Sequence, residues 1–393
     1  MRESFKAYYG ANCHAYARGT FRKVNNYDVN SLYPFVMCNE YPDPNFQRLT
    51  YQNTDLYIWK YHGCSDITIS IPYSENKPLL PFHIENKTLF PVGEIRGWYT
   101  HVEIRKAIEL GYTLKKVHKT IYYKESMFPF REMMLDLWDL RNEYKKNNSP
   151  MESVVKLLMN NLYGKTGQKF DAMEEWLPID QFEYKELIKM DFIEKVGNFI
   201  RIKKNNDPAP YCIPIWASYT TAYGRMVLYD YIKRCDPLYV DTDSLYTFKE
   251  METNPSKLGA LKHENKGIPL KEVIIVKPKF YMKDGFARIK GISKMNEKMF
   301  RDALQKKPLA MQKWVKFKEG KRRNLRINEI LLMYKSLSLE DNKRNWNNQF
   351  NYKDCEYSEP LCIENGNIAS EVYKNLKSHT DKQLVYGIAS QIN

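Results

Sequence analysis

No apolar run in this 393-residue sequence approaches the length of a membrane span, and the N-terminus lacks a signal-peptide pattern. There is no internal repeat and no long low-complexity linker. Cysteine is sparse: Cys13, Cys38, Cys64, Cys212, Cys235, Cys355 and Cys362 are scattered, and no two have C-x-x-C spacing. Neither a structural zinc nor a disulfide framework is expected, and an intracellular, reducing setting fits. Acidic residues are outnumbered, 47 against 61 Lys and Arg, which leaves a net charge of +14. That excess suits a polyanionic partner, although soluble basic proteins without one share it. Hydrophobic residues at 43% make disorder the wrong default, and the length allows two or three core-bearing units. Aromatics are plentiful, with 30 Tyr, 18 Phe and 7 Trp. Phosphate neutralisation and base stacking need basic charge and aromatic rings together, but aromatics also build ordinary cores.

Along the chain, Tyr8-Tyr9-Gly10-Ala11 carries a turn signal, and Val24 to Tyr27 reads as a short strand running into Asp28. Residues 38–95 are rich in strands and turns, because prolines at 42, 44, 72, 78, 81 and 91 break any helix. A helix is predicted from His101 to Leu110, stopped by Gly111. Met133, Met134, Leu137 and Leu140 recur at helical spacing within 129–147. After Asn147-Asn148-Ser149-Pro150, a second helix is predicted from Met151 to Leu162, closed by Gly164. Residues 168–210 are mixed and polar, ending in a loop at 205–210. A helix from about Pro214 to Arg234 follows, and 272–292 alternate as strands do. Near the C-terminus, Lys313, Lys316, Lys318, Lys321, Arg322, Arg323 and Arg326 surround Trp314 and Phe317. A phosphate-contacting domain and a solvated charged helix face explain that cluster equally well.

Asp241-Thr242-Asp243-Ser244 sits between the apolar runs Leu238-Tyr239-Val240 and Leu245-Tyr246, which reads as strand, tight turn, strand. Clustered carboxylates repel unless a cation neutralises them, so the turn is a candidate Mg²⁺ site. For this stretch alone, a solvated Asp-rich turn is the commoner explanation. A second carboxylate lies upstream in Asp28-Val29-Asn30-Ser31-Leu32-Tyr33-Pro34. If its strand pairs beside the hairpin, Asp28 and Asp243 converge. Such a pair can hold two Mg²⁺ ions about 4 Å apart for in-line phosphoryl transfer.

A triphosphate also needs cations. Lys156, Asn160 and Tyr163 are spaced i, i+4, i+7 and share one helix face. Lys156 can bind phosphate, Asn160 can hydrogen-bond phosphate or sugar, and Tyr163 can pack on a base pair. Arg141, on the preceding helix, can add a bidentate phosphate contact. Taken singly, Tyr163 is as well explained by core packing and Lys156 by a solvated face.

These segments resemble the motifs of family B DNA polymerases, in the right order. Asp28 to Pro34 is similar to motif A (D-x-x-S-L-Y-P), Lys156 to Gly164 to motif B (K-x-x-x-N-S-x-Y-G), and Tyr239 to Ser244 to motif C (Y-x-D-T-D-S). Further matches resemble the protein-primed branch of phages, linear plasmids and related mobile elements. Tyr8 to Ala11 resembles its Y-x-G-G/A motif, between exonuclease and polymerase domains. Thr221-Ala222-Tyr223-Gly224-Arg225 resembles its T-x-x-G-R motif, and Lys279-Phe280-Tyr281 its K-x-Y motif. The resemblance weakens after about residue 295.

The resemblance implies an α+β right-hand polymerase fold with an antiparallel-sheet palm, two-helix fingers, a thumb and two insertions. The palm would take 1–37 and 211–294, and the fingers 126–167. Insertions like terminal-protein regions 1 and 2 would take 38–125 and 168–210, and the thumb and C-terminal region 295–393. It implies DNA-directed DNA polymerase activity with two Mg²⁺ ions, for which Mn²⁺ can substitute. Asp28 and Asp243, with the Val29 backbone, would be the metal ligands, and Asp241 would support the catalytic site. Ser31, Leu32, Tyr33, Arg141, Lys156, Asn160 and Tyr163 would bind the nucleotide, with Tyr33 excluding a ribose 2′-OH. Tyr8, Gly10, Gly164, Thr221, Arg225, Thr242, Ser244, Lys279 and Tyr281 would contact primer and template DNA. The implied partners are template and primer DNA, dNTPs, a terminal priming protein, and a separate exonuclease or single-stranded-DNA-binding protein; no membrane is implied.

The pattern is departed from at Asn161, where the family usually has Ser; both are small and polar. Only 27 residues precede Asp28, too few for the family's exonuclease. An exonuclease-less enzyme, an exonuclease on a separate chain and a fragment are all open. Also open are a polymerase that uses nucleic-acid primers only and an inactive DNA-binding descendant. A metal-dependent nuclease fits less well, since it needs no Lys-Asn-Tyr helix face.

Overall fold

The computed structural model describes residues 2–84, 87–168, 173–181, 183, 191–204, 211–292, 295–314, 330–335, 337–364 and 366–368. At its centre is a five-stranded antiparallel sheet. Five strands form it: β1 (Cys13–Ala15), β2 (Asn25–Val29), β3 (Tyr239–Asp241), β4 (Ser244–Thr247) and β5 (Leu261–His263). Their spatial order is β1-β3-β4-β2-β5. One face is covered by helix α1 (Leu32–Met37) and by helix α5 (Pro214–Cys235). Tyr27, Val29, Val240, Leu245 and Leu261 from the strands meet Leu32, Val36, Leu228 and Ile232 from the helices. Burial of this apolar surface fixes which way each strand faces, because a one-residue slip would send the whole set to the other face. The strand expected to run into Asp28 spans Asn25–Val29, with Asp28 near its end.

Further helices are α2 (His101–Glu109), α3 (Arg131–Lys146), α4 (Met151–Thr166) and the short Arg2–Lys6, Leu56–Lys60 and Glu297–Leu304. The His101 helix stops where Gly111 takes φ +87, as its sequence predicts. The 214–234 helix and the strands within 272–292 also form. The predicted stop at Gly164 does not: α4 runs through it to Thr166 and is capped at Gly167. A glycine inside a helix costs only about 1 kcal/mol, so it need not end one. Crowding marks Gly167 instead, since a Cβ there would lie 2.7 Å from Ala217 Cβ and 2.8 Å from the Tyr8 ring. On α3, Met134 and Trp138 are buried while Met133 and Leu140 are exposed, so the inward stripe includes a tryptophan outside the predicted set.

Residues 38–125 contribute most of a six-stranded sheet with α2 packed on it. C-terminal strands Cys362–Glu364 and Asn367–Ile368 extend that sheet, the first pairing in parallel with Val92–Thr100. Glu356–Tyr357 joins a second five-stranded sheet beside Ala17–Phe21. The C-terminal region thus folds back on the earlier sheets. Within 168–210 a three-stranded sheet is described, and the loop expected at 205–210 lies outside the described residues. Lys313 and Trp314 lie on a strand paired with Ile330–Lys335, not on a helix. Lys316, Phe317, Lys318, Lys321, Arg322, Arg323 and Arg326 lie outside the described residues. Among the described residues, no helix is long and apolar enough to cross a membrane.

Candidate active site

Asp28 lies opposite Ser244 on one side of its strand and opposite Lys262 on the other. Asp243 occupies the β3–β4 turn, and its carbonyl accepts the Val29 N–H at 2.8 Å. This cross-strand bond brings the two carboxylates together from distant parts of the chain. Thr242 holds a left-handed φ of +64, which a β-branched residue adopts only when its surroundings compel it. Its N–H donates to the Asn12 carbonyl at 2.9 Å, and Ser244 Oγ donates to the Asp241 carbonyl at 3.2 Å. Thr242 and Ser244 therefore shape the turn.

Asp241 is held apart from this pair. Lys279 Nζ lies 2.6 Å from its Oδ1, and the Tyr239 hydroxyl donates to its Oδ2 at 3.3 Å. Tyr281 packs against Tyr239 and Tyr246 at ring distances of 5.2 and 5.6 Å. Among the described residues, no three His, Cys, Asp or Glu side chains form a metal-binding group. Asp28 and Asp243 are the carboxylates that line one cavity.

Burial, reinforced by the neighbouring Asp28 carboxylate, pushes the Asp243 carboxyl up to about 7. Burial also raises Asp28, against the pull of Lys262. Two hard carboxylate donors, one of them paired with the Lys262 ammonium at 3.0 Å, suit a cation. A Mg²⁺ ion bound at Asp243 would compete with protons there, so its affinity should be near its plateau above pH 7 and fall below it. From about pH 8 to about pH 6 we expect a drop of about tenfold, read by Mg²⁺ titration calorimetry.

The carboxylates open into a cavity of about 110 Å³ whose walls include Ser31, Leu32, Tyr33, Arg141, Lys156 and Asn160. Lys156 and Asn160 share this wall, as their spacing requires. Ser31, at φ +48, turns the chain from β2 into α1 and accepts a hydrogen bond from Arg141 Nη1 at 2.9 Å. The same guanidinium pairs with Glu152 at 2.7 Å, which ties α3 to α4. The Tyr33 ring lies 4.3 Å from that of Tyr163, tilted by 30°. On α5, a Cβ added to Gly224 would come within 3.5 Å of the Tyr33 ring. Tyr33 is thus held between α4 and α5.

Other expected contacts are placed differently. Arg225 is interior: its Nε donates to Glu103 Oε1 at 2.8 Å, and Nη1 donates to the Tyr9 and Gly10 carbonyls at 2.8 and 2.9 Å. Thr221 Oγ1 donates to the Ala217 and Ser218 carbonyls within its own helix. Both side chains are engaged within the protein, and Arg225 fixes the Tyr8–Ala11 turn against α5. Tyr8 is half-buried beside Gly167, whereas Gly10 and Gly164 are exposed. Sequence reasoning missed Glu103, Glu152, Lys262 and Glu264. Lys262 lies on β5 and Glu264 just beyond its end, and nothing local places them beside Asp28.

Among solved structures, the chain resembles phi29 DNA polymerase complexed with primer-template DNA and incoming nucleotide. The TM-score is 0.60 at 16% identity, covering 86% of this chain and 62% of that one. The likeness shows an α+β fold of the right-hand polymerase type. Residues 4–212, more than half of the chain, match the family described as DNA polymerase type B, organellar and viral, and the chain belongs to that family. A Neurospora intermedia protein named "Probable DNA polymerase" is 28% identical over 286 residues, 66% of this chain. The "DNA polymerase" of Streptococcus phage Cp-1 is 25% identical over 271 residues, 63% of this chain. The chain spans only 29% and 44% of those two relatives.

Proposed function

We propose that this chain carries the nucleotidyl-transfer centre of a DNA-directed DNA polymerase. The observation that carries this reading is the pairing of β2 with the β3–β4 hairpin, which aims Asp28 and Asp243 into a cavity walled by Lys156, Asn160, Arg141 and Tyr33. Asp28 and Asp243, with the Val29 backbone, would hold Mg²⁺. When bound, the metal neutralises the phosphates and lowers the pKa of the attacking hydroxyl. Lys156 and Arg141 bind the triphosphate, and Asn160 orients it. A primer hydroxyl attacks the α-phosphate of a dNTP, the new phosphodiester forms, and pyrophosphate leaves. Lys279, fixed beside Asp241, supports the primer terminus.

In this proposal the central sheet with α1 and α5 is the palm, α3 and α4 are the fingers, and residues 38–125 and 168–210 are insertions. The thumb begins near residue 295. Template and primer DNA are the partners. A terminal protein supplies the first hydroxyl, as the Tyr8–Ala11, Thr221–Arg225 and Lys279–Tyr281 segments suggest by their resemblance.

Tyr33 gives the reading a direct test. Its ring is fixed by Tyr163, so it blocks a ribose 2′-OH by shape. Tyr33→Ala should raise rNTP use relative to dNTP by about a hundredfold, the size of a lost steric and packing clash of roughly 3 kcal/mol. Single-nucleotide primer extension with each sugar measures it. An unchanged ratio removes that role from Tyr33, and no extension by the wild type with dNTPs removes the polymerase reading.

A further inference from the structure

Lys262 has no counterpart among the motif residues, yet it lies at the centre of the site. It faces Asp28 directly across the β2–β5 pair, and directly paired residues share one face of a sheet. Its Nζ is 3.0 Å from Asp28 Oδ2 and 2.9 Å from Glu264 Oε1. Glu264 is the first residue beyond β5, and its carboxylate reaches the same ammonium. Lys262 lines the same cavity as Asp243, Lys156 and Arg141. Its ammonium thus touches one carboxylate of the proposed metal pair and one carboxylate outside it.

We propose that Lys262 is a positioning residue that occupies the cation's place at Asp28 while the site is metal-free, and that Glu264 takes over the ammonium when a divalent ion enters. Two convergent carboxylates repel each other, and an ammonium paired with one of them offsets part of that repulsion. The metal must then displace Lys262 from Asp28, and Glu264 makes the displacement cheap by keeping the ammonium paired. Metal entry is an exchange of cations, and the Lys262–Glu264 pair sets its equilibrium. This rests on Asp28 and Asp243 being the metal site, but not on the chain polymerising DNA.

The test is Mn²⁺ binding followed by electron paramagnetic resonance, without DNA or nucleotide, on the full chain. Lys262→Met should bind Mn²⁺ about fivefold more tightly than wild type, the order expected for a partly exposed ion pair. Lys262→Arg should stay close to wild type. Glu264→Gln, which leaves the ammonium with Asp28 alone, should bind about twofold to threefold more weakly. Opposite shifts in the two neutralising variants are the signature of exchange. Unchanged or weaker binding by Lys262→Met overturns it, as does unchanged or tighter binding by Glu264→Gln. If Lys262→Met fails to fold by circular dichroism, the Glu264→Gln result decides. A lysine that instead contacts the nucleotide would leave Mn²⁺ binding unchanged and raise the dNTP KM. Opposite shifts in a protein that extends no primer would uphold the exchange and sink the polymerase reading.

Discussion

Asp243→Ala should reduce Mg²⁺-dependent primer extension by about three orders of magnitude or more, the loss expected when several kcal/mol of metal-borne stabilisation disappear. Asp243 combines burial, a neighbouring carboxylate and a place on the rigid β3–β4 turn. Its backbone bond to Val29 survives the substitution, so the sheet should remain intact and the loss should be chemical. Asp28→Ala should behave alike. Asp241→Ala should cost much less, since that carboxylate is bound to Lys279 and the Tyr239 hydroxyl. Full extension by Asp243→Ala would remove the proposed site, and an equal loss in Asp241→Ala would make it a ligand. A time course on a labelled primer-template separates these outcomes.

Glu103→Leu should destabilise the fold by about 3 to 5 kcal/mol, because it strands a buried guanidinium without its counter-ion. The Glu103 and Arg225 side chains are 0% and 1% exposed, so water cannot compensate. Thr100 Oγ1 also donates to Glu103, and Arg225 holds the Tyr9 and Gly10 carbonyls. The ion pair therefore joins α2, α5 and the Tyr8–Ala11 turn at one point. Adding Arg225→Met to Glu103→Leu should recover much of the stability, since apolar pairs replace buried ion pairs at little cost. Urea unfolding of the single and double variants measures it. A double variant no more stable than Glu103→Leu alone would show that Arg225 matters chiefly through its bonds to the turn.

The helices were legible because their signals are local. Period, prolines and caps mark His101–Glu109, Arg131–Lys146 and Pro214–Cys235 within a residue or two. The Lys156–Asn160–Tyr163 face was legible for the same reason. Gly164 misled because a weak helix former is not a stop, and the true stop at Gly167 depends on α5 and Tyr8 packing against it. Arg225 misled more deeply. Arginine is usually exposed, and its burial here needs a carboxylate from residues 38–125 that no local pattern announces.

Residue chemistry and short-range periodicity were enough to single out the carboxylates and the Lys156–Asn160 helix face, and the motifs that hold them resemble those of family B DNA polymerases. Which of those groups meet was settled by folding. Strand register aligns Asp28 with Ser244 and Lys262. The same packing gives Asp241 to Lys279, buries Arg225 on Glu103, and leaves Asp28 and Asp243 facing one cavity. The reason is physical: register is selected by burying one face of a sheet assembled from distant segments, and ion pairs form only once that selection is made.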